Sequence, residues 1–232
     1  MDHQDEYFDN LVTMLELIWG EGYMTPGGPD NVEKIFNGIE TAGKRILDIG
    51  CGLGGQAFEM ANTFGADVVG IDLEAPIIKR ATEAATKMGL QDRCKFRIVE
   101  AGALDFPDQS FDIVTSSGAI TQVSDKANIF GECYRVLKPG GYLTIYDWTK
   151  SEKPLSEDMF YWFKMEGLTF ALETLEEYKV HLKKIGYIDV TIKDASDWYR
   201  NQARREYELM KGRLYPRMVE LLGQKDADHF VE

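Results

Sequence analysis

Residues 45–56 read RILDIGCGLGGQ and decide the fold of this chain. The apolar run Arg45–Gly50 has the length of a short buried strand, and the glycines after it permit a tight turn. The stretch Gln56–Phe64 then repeats apolar residues at helical spacing and predicts a helix. A strand, a glycine-rich turn and a helix in this order build a loop in which a ligand can lie against bare backbone, beside the free N–H groups of the helix.

The alternation of strand and helix continues along the chain. Apolar runs predict four further strands, at Asp67–Asp72, Lys95–Glu100, Phe111–Ser117 and Tyr142–Trp148. Apolar residues at helical spacing predict intervening helices at Ala75–Met88 and Lys126–Leu137. Because parallel strands need such crossovers, the pattern predicts an α/β fold, a Rossmann-like and mostly parallel sheet with helices on both faces.

The segments on either side of this core predict mainly helices. An amphipathic helix begins near Phe8 and ends at Trp19, and a loop rich in glycine and proline follows it. After the core, the patterns predict helices at Ser156–Met165 and Thr174–Ile185 and a sixth strand at Asp189–Ile192. Residues 198–222 are predicted to be helical, with an interruption near Pro216. We therefore divide one domain into an N-terminal helix and loop, a core and a C-terminal part, at residues 1–40, 41–148 and 149–232.

The composition excludes several classes of protein. Of the 232 residues, 44% are hydrophobic and 28% charged, as in an ordinary globular domain, and the formal net charge is −13. Such an acidic chain is poorly suited to nucleic acid or an anionic membrane, and no apolar run approaches the roughly 18 residues of a membrane span. Cys51, Cys94 and Cys133 lack the spacing of a disulfide framework or a zinc site, so we predict no metal and a cytoplasmic location.

An acidic residue stands where a ribose-binding group is expected. Asp72 follows Gly50 by 22 residues and ends the second predicted strand, where a carboxylate can accept hydrogen bonds from ribose hydroxyls. The glycines follow the pattern GxGxGG, which differs from the GxGxxG of dinucleotide-binding folds. A tight turn that binds no ligand, and a nucleoside-binding module without catalytic activity, remain alternatives.

Four motifs in order resemble the class I S-adenosylmethionine-dependent methyltransferases. They are LDIGCGLGG (47–55), the acid at position 72, FDIVTSSGAI (111–120) and LKPGG (137–141). The resemblance covers residues 41–148 and implies a mostly parallel sheet of seven strands whose last strand is antiparallel. No seventh strand follows residue 222 in the sequence, so we expect either a truncated chain or a shortened sheet.

The same resemblance assigns the cofactor-binding residues around the glycine turn. It implies that Asp48 and Gly50 face the methionine portion of S-adenosylmethionine. Gly52 and Gly54 are then expected beside the sulfonium, and Asp72 is expected to hold the ribose.

Further resemblance-based assignments concern the adenine and the mouth of the pocket. Leu73 is expected to pack on the adenine, and plain core packing is the alternative for Leu73 and Leu104. Ala103 and Leu104 occupy the positions where the family usually has an aspartate and an apolar residue at the adenine amino group. Ser117 and Gly118 are expected to line the mouth beneath the sulfonium.

A narrower resemblance begins at the N-terminus. Residues 15–28, LELIWGEGYMTPGG, look like the lid segment of small-amine N-methyltransferases, the phosphoethanolamine and sarcosine/dimethylglycine enzymes. This implies that residues 1–40 form a lid over the cofactor, that Tyr7 matches the lid tyrosine, and that Met24 and Thr25 touch the cofactor. We take Tyr7 as a catalytic candidate.

The resemblance is weaker at the residues that determine acceptor specificity. The catalytic histidine of those enzymes corresponds to Gln122, a substrate-binding aspartate to Gly118, and two tyrosines to Trp148 and Phe163. Their phosphate-binding arginine has no match near residues 165–168. A phosphate dianion needs several donors, so we discount phosphoethanolamine as the acceptor and keep Gln122 as the second catalytic candidate.

Aromatic residues predict the chemistry of the acceptor pocket. Trp148, Tyr161 and Phe163 are expected to bind the acceptor, because aromatic faces favour a methylated ammonium; core or interface packing is the alternative. We therefore predict methyl transfer from S-adenosylmethionine to the nitrogen of a small amine, such as a glycine-betaine-type compound, with S-adenosylhomocysteine as product. Transfer to carbon, oxygen or sulfur of a larger apolar acceptor remains open, as does the choice between monomer and dimer.

Overall fold

Five parallel strands form a single sheet in this computed structural model, which describes residues 9–166 and 169–231. The strand order is β3-β2-β1-β4-β5, and every neighbouring pair is parallel. The strands are β1 Arg45–Ile49, β2 Asp67–Asp72, β3 Cys94–Ile98, β4 Phe111–Ser117 and β5 Leu137–Tyr146. This order confirms the predicted Rossmann-like α/β fold.

Ten α-helices accompany the sheet within the described residues. The first five are α1 Asp9–Trp19, α2 Gly28–Phe36, α3 Gly55–Asn62, α4 Ala75–Lys87 and α5 Lys126–Val136. The last five are α6 Glu157–Glu166, α7 Leu175–Ile185, α8 Ser196–Lys211, α9 Tyr215–Leu222 and α10 Gln224–Phe230. Within these residues, no helix combines the length and apolar character needed to cross a membrane.

The central strand β1 shows why the strands read as nearly continuous apolar runs. Ile46 and Leu47 point to opposite faces of the sheet, and both are fully buried. Ile46 belongs to the apolar cluster beneath α2 and α3, whereas Leu47 belongs to the cluster beneath α5 and α7. Helices on both faces therefore bury successive side chains and hold the end of β1 in a fixed position.

The strand β5 begins earlier than its apolar run indicates. It starts at Leu137 rather than Tyr142 and so contains the LKPGG segment. The pairing with β4 shifts register between Phe111 and Ile113, and Gly140 has a φ of 79°. The glycine lets the backbone bulge and rejoin the sheet, a conformation that apolar patterning does not encode.

The predicted sixth strand at Asp189–Ile192 is wrong. No strand follows β5 in residues 147–166 and 169–231, so the C-terminal part contributes helices alone. Asp189 adopts a φ of 52°, outside the extended region, and the preceding Ile188 is 84% exposed. The alternating sequence suits a strand, but the segment pairs with none of the five described strands, and an unpaired strand has no ladder to stabilise it.

The two ends of the chain pack on each other. Met14 of α1 is fully buried with Leu214, Met218 and Ala227 of the C-terminal region. The predicted helical stretch 198–222 is two helices, and Pro216 lies in the first turn of the second, α9. The N-terminal helix is thus supported by the C-terminal helices, beside the carboxyl edge of the sheet.

Candidate active site

The glycine turn joins β1 to α3 at the carboxyl edge of the sheet. Gly50, Gly52 and Gly54 have φ values of 69°, 52° and 89°, which side chains disfavour. The turn folds back on β2, where the N–H of Gly50 donates to the carbonyl of Ile71 at 2.8 Å. A Cβ at position 50 would lie 2.1 Å from the Cβ of Ala119, so this backbone can take no side chain there.

Asp48 places a buried carboxylate directly before this turn. Its Oδ1 accepts a hydrogen bond from Nε2 of Gln56 at 3.1 Å, whereas its Oδ2 has no partner among the described residues. Burial raises the pKa of this carboxyl to about 7, the hydrogen bond from Gln56 lowers it, and the charge of Asp72 raises it again. A buried carboxylate with an open acceptor atom favours a cationic group at that point.

Asp72 is placed at the end of β2, as the sequence predicts. Its Oδ2 accepts from the N–H of Gly52 at 3.0 Å and its Oδ1 from the N–H of Glu74 at 3.2 Å. Burial raises the pKa of this carboxyl, and these backbone hydrogen bonds oppose the rise. A carboxylate has about four acceptor positions, so Asp72 fixes the turn and still has capacity for hydroxyl groups.

The two leucines assigned to the adenine have different surroundings. Leu73 is 50% exposed, so core packing does not account for it. Leu104 is 7% exposed and belongs to the main apolar cluster, and Ala103 beside it is exposed. The adenine contacts of these three residues stay predictions.

A charged pair that sequence reasoning missed holds the segment around Leu104. Oε2 of Glu132 accepts from the N–H of Leu104 at 2.8 Å, and Arg135 donates to the carbonyls of Leu104 and Phe106, both at 2.8 Å. Glu132 and Arg135 also bond each other at 2.8 Å. The sequence did offer a signal for this ion pair, because an acidic and a basic residue three positions apart on a predicted helix lie on the same face.

The loop after α1 lies on the glycine turn. Sδ of Met24 is 3.2 Å from where a Cβ on Gly52 would lie, and Cγ2 of Thr25 is 2.9 Å from the corresponding point on Gly118. Met24 and Thr25 thus lie at the predicted cofactor site. Tyr7 lies outside the described residues, so its role stays a prediction.

The residues predicted at the mouth of the pocket follow β4. Ser117 ends this strand, and the N–H of Gly118 donates to the carbonyl of Tyr146 at 2.8 Å. A turn of 3₁₀-helix, Ile120–Gln122, comes next and leaves Gln122 partly exposed. The ends of β4 and β5 therefore form one surface.

Aromatic side chains extend this surface. The ring centroid of Trp148 lies 4.3 Å from that of Tyr199 and 5.4 Å from that of Trp162. Phe163 lies 5.4 Å from Trp162, whereas Tyr161 is 61% exposed. Trp148 and Phe163 therefore belong to one aromatic wall with Trp162 and Tyr199, and sequence reasoning missed Tyr199 because α8 carries no local signal of where it docks.

None of the residues described above on this surface is a histidine. His181 lies on α7, where its Nε2 is 3.1 Å from Oε2 of Glu173. His3 and the side chain of His229 lie outside the described part of the chain. Within that part, no group of three or more His, Cys, Asp or Glu residues could hold a metal ion.

The observed groups fit S-adenosylmethionine. The open Oδ2 of Asp48 suits the positively charged amino group of its methionine portion. The glycine turn presents main chain at positive φ, and Asp72 has acceptor capacity for the ribose. These three features lie together at the carboxyl end of β1 and β2, where ligands bind in open α/β sheets.

Known proteins match most of the chain. The family described as methyltransferase domain matches residues 40–211. Phosphoethanolamine N-methyltransferase 3 of Arabidopsis thaliana is 31% identical over 207 residues, which are 89% of this chain and 41% of that protein. Phosphoethanolamine N-methyltransferase of Plasmodium falciparum is 32% identical over 209 residues, 89% of this chain and 77% of that protein.

A solved structure agrees with these sequence matches. Phosphoethanolamine N-methyltransferase 2 of Haemonchus contortus, in complex with phosphomonomethylethanolamine and S-adenosylhomocysteine, superposes with a TM-score of 0.91 at 28% identity. The match covers 98% of this chain and 53% of that protein. The chain therefore spans about half of this relative, and about two fifths of the Arabidopsis protein.

Proposed function

Because this chain belongs to the methyltransferase-domain family, we propose that it transfers the methyl group of S-adenosylmethionine to the nitrogen of a small amine. The observation that carries the proposal is the Oδ2 of buried Asp48, which has no partner in the described part of the chain and lies beside a turn of three positive-φ glycines. The relatives support it, since their names assign them to N-methylation of a small amine.

The proposed reaction is an in-line displacement. The cofactor supplies an electrophilic methyl carbon on a sulfonium. The lone pair of the acceptor nitrogen would form the new N–C bond while the bond between sulfur and the methyl carbon breaks. The electron pair of that breaking bond would stay on sulfur, giving S-adenosylhomocysteine. A neutral amine needs no base in this step, and an N–H proton, where the acceptor has one, leaves afterwards to water.

The residues of the chain mainly align the reactants in this mechanism. Asp48 would hold the methionine portion of the cofactor and Asp72 its ribose, and Met24 and Thr25 would cover it from the loop after α1. Gln122 and Trp148 face the acceptor from the ends of β4 and β5. Alignment and exclusion of water lower the barrier without a dedicated acid or base, which agrees with a surface that lacks histidine among the described residues.

Phosphoethanolamine is the second candidate acceptor, and the relatives favour it. The resemblance weighs against it, because Gln122, Gly118 and Trp148 stand where it implies a histidine, an aspartate and a tyrosine. The aromatic wall instead suits an ammonium group that carries methyl groups. We therefore propose an amine without a phosphate and treat the phosphobase as the competing outcome.

An acceptor panel tests the proposal. The purified chain is incubated with S-adenosylmethionine and ethanolamine, phosphoethanolamine, sarcosine, dimethylglycine or a larger apolar acceptor, and both products are identified by mass. Asp48→Asn is the control for cofactor-dependent turnover. Methylation of an unphosphorylated amine supports the proposal. Tight binding of S-adenosylhomocysteine with no turnover on any acceptor would instead indicate a non-catalytic module.

A second experiment addresses the discounted acceptor. Gln122→His introduces the residue type that the resemblance implies at this position, and Gln122→Ala is its matched control. We expect no turnover of phosphoethanolamine by either variant, because the aspartate and arginine positions remain changed. Turnover by the histidine variant alone would revive phosphoethanolamine.

We also propose a cytoplasmic protein that acts on small molecules and does not bind nucleic acid. The net charge of −13 and three cysteines that are buried as free thiols support this.

The choice between a monomer and a dimer is a separate question. Size-exclusion chromatography with light scattering distinguishes the two.

A further inference from the structure

A buried lysine lies behind the acceptor surface. Lys126, at the start of α5, is 1% exposed. Its Nζ donates to the carbonyl of Val123 at 2.9 Å and to the carbonyl of Ala171 at 2.6 Å. Burying an ammonium is unfavourable unless it is well hydrogen-bonded, and both of these acceptors belong to loops. Lys126 therefore joins the loop after β4 to the segment before α7.

The carboxylate of Asp147, just after β5, connects the end of that strand to the loop after β4 and to α7. Oδ1 of Asp147 accepts from the N–H of Thr121 at 3.0 Å and from the N–H of Trp148 at 3.2 Å. Its Oδ2 accepts from the hydroxyl of Tyr178, on α7, at 2.6 Å. One side chain thus links the loop after β4, the end of β5 and α7.

Two further hydrogen bonds close the arrangement. The N–H of Ala171 donates to the carbonyl of Thr121 at 2.9 Å, and the hydroxyl of Thr121 donates to the carbonyl of Trp148 at 3.3 Å. We call residues 121–123, 147–148 and 171 the acceptor frame. Its three segments are distant in sequence and are held together by Lys126, Asp147 and Tyr178.

The acceptor frame carries the residues assigned to the acceptor. Gln122 and Trp148 belong to it, and Phe170, next to Ala171, stacks on Trp162 and Phe163 with centroids 4.7 Å apart in each case. A small displacement of the frame would move the whole acceptor surface relative to the glycine turn. Misplacement of reacting groups by about 1 Å can lower a rate by about 100-fold.

We propose that Lys126, Asp147 and Tyr178 are positioning residues of the acceptor site, which set the place of Gln122 and Trp148 without touching the acceptor. The proposal rests on the proposed methyl transfer. Hydrogen bonds to charged groups are directional and strong inside a protein, so they fix two loops more tightly than apolar contacts of the same size would.

Kinetics of two variants test the proposal. Tyr178→Phe removes the hydroxyl that binds Asp147, and Lys126→Met removes the ammonium at nearly constant volume. We expect kcat/KM for the acceptor to fall at least tenfold in each, while the Kd of S-adenosylhomocysteine changes less than twofold. Lys126→Arg, which keeps the charge and donors, should restore part of the loss.

Matched controls separate positioning from general stability. Tyr187→Phe removes a hydroxyl that donates to the carbonyl of Phe130 in the same apolar cluster, at 3.2 Å. Lys138→Met removes an ammonium bound to Asp112 at 2.9 Å, at the opposite end of β5. Both controls should retain acceptor kcat/KM. An equal fall in the controls, or a parallel loss of cofactor affinity, would overturn the positioning role.

Hydrogen exchange gives a readout that does not need turnover. In Lys126→Met and Tyr178→Phe, the amides of residues 119–125 and 169–173 should exchange at least tenfold faster, with residues 48–56 unchanged. Unaltered protection of the frame would contradict the inference whatever the activity. A wild-type chain that methylates no amine, yet shows this pattern, would count against the proposed function alone.

Discussion

At the residue scale, Asp48 is the most informative side chain. Its carboxyl is 1% exposed and has one oxygen without a partner among the described residues. An isolated buried carboxylate is unfavourable, and the rise of its pKa to about 7 reflects that desolvation. A ligand with a positive amino group would offset it.

The raised pKa gives the first prediction. Binding of a cationic amino group needs the carboxylate form, so affinity rises with pH until Asp48 is ionised. With a pKa of about 7, the ionised fraction falls about tenfold between pH 8 and pH 6. We expect the Kd of S-adenosylhomocysteine, measured by calorimetry, to rise about tenfold when the pH is lowered from 8 to 6. The Asp48→Asn variant should bind weakly with no such slope, and a persistent slope would assign the titration to another group.

At the scale of elements, the glycine turn combines two requirements. The φ of Gly50 is 69°, and the Cβ of an alanine there would meet the Cβ of Ala119 at 2.1 Å. Strain at positive φ costs roughly 1–2 kcal/mol. Overpacking of a rigid neighbour costs typically a further 1–3 kcal/mol.

These two costs can be separated by experiment. Gly38 has a φ of 82° with no atom within 4 Å of an added Cβ, so Gly38→Ala reports conformational strain alone. We expect Gly50→Ala to lower the free energy of unfolding in urea by about 1–3 kcal/mol more than Gly38→Ala. Equal losses would mean that Ala119 moves away at little cost.

The start of α8 forms the second informative element, because it completes the aromatic wall. Tyr199 lies edge-to-face with Trp148 at 4.3 Å. If a methylated ammonium binds this wall, Tyr199→Leu should raise the acceptor KM by about 2- to 30-fold, since a cation–π contact contributes roughly 0.5–2 kcal/mol. Cofactor affinity should stay unchanged. Tyr207→Leu, on the same helix, is the control, and an equal effect there would implicate helix stability instead.

At the scale of the whole molecule, helix α1 packs on the C-terminal helices. Met218 is fully buried with Met14, so α9 supports α1 and, through it, the loop that carries Met24. The helix α1 and the C-terminal helices therefore form one packed unit rather than separate attachments.

This packing predicts a coupled effect. Met218→Ala should lower the free energy of unfolding by about 2–5 kcal/mol through a cavity and should speed dissociation of S-adenosylhomocysteine, because α1 loses support. Met88→Ala, at a side chain that is 52% exposed, should change neither quantity. Destabilisation without faster dissociation would mean that the loop carrying Met24 holds its place independently of α9.

The sequence by itself determined the α/β alternation, the glycine turn and the positions of Asp48 and Asp72. Those features depend on neighbours a few residues apart, which set strand and helix periodicity and the conformation of a turn. Leu73 and Leu104 show where sequence-based prediction ends. Both are leucines, yet one is exposed and the other buried, and the residue type does not say which.

Only the tertiary structure decided which distant segments meet. It joined Trp148 to Tyr199 across 51 positions and Lys126 to Ala171, and it left Asp189–Ile192 without a neighbouring strand. Such contacts arise from the packing of whole helices on a sheet, where the free energy is gained by burial of many side chains at once. Periodicity within one segment shows which face is apolar, but it does not specify the segment that covers it.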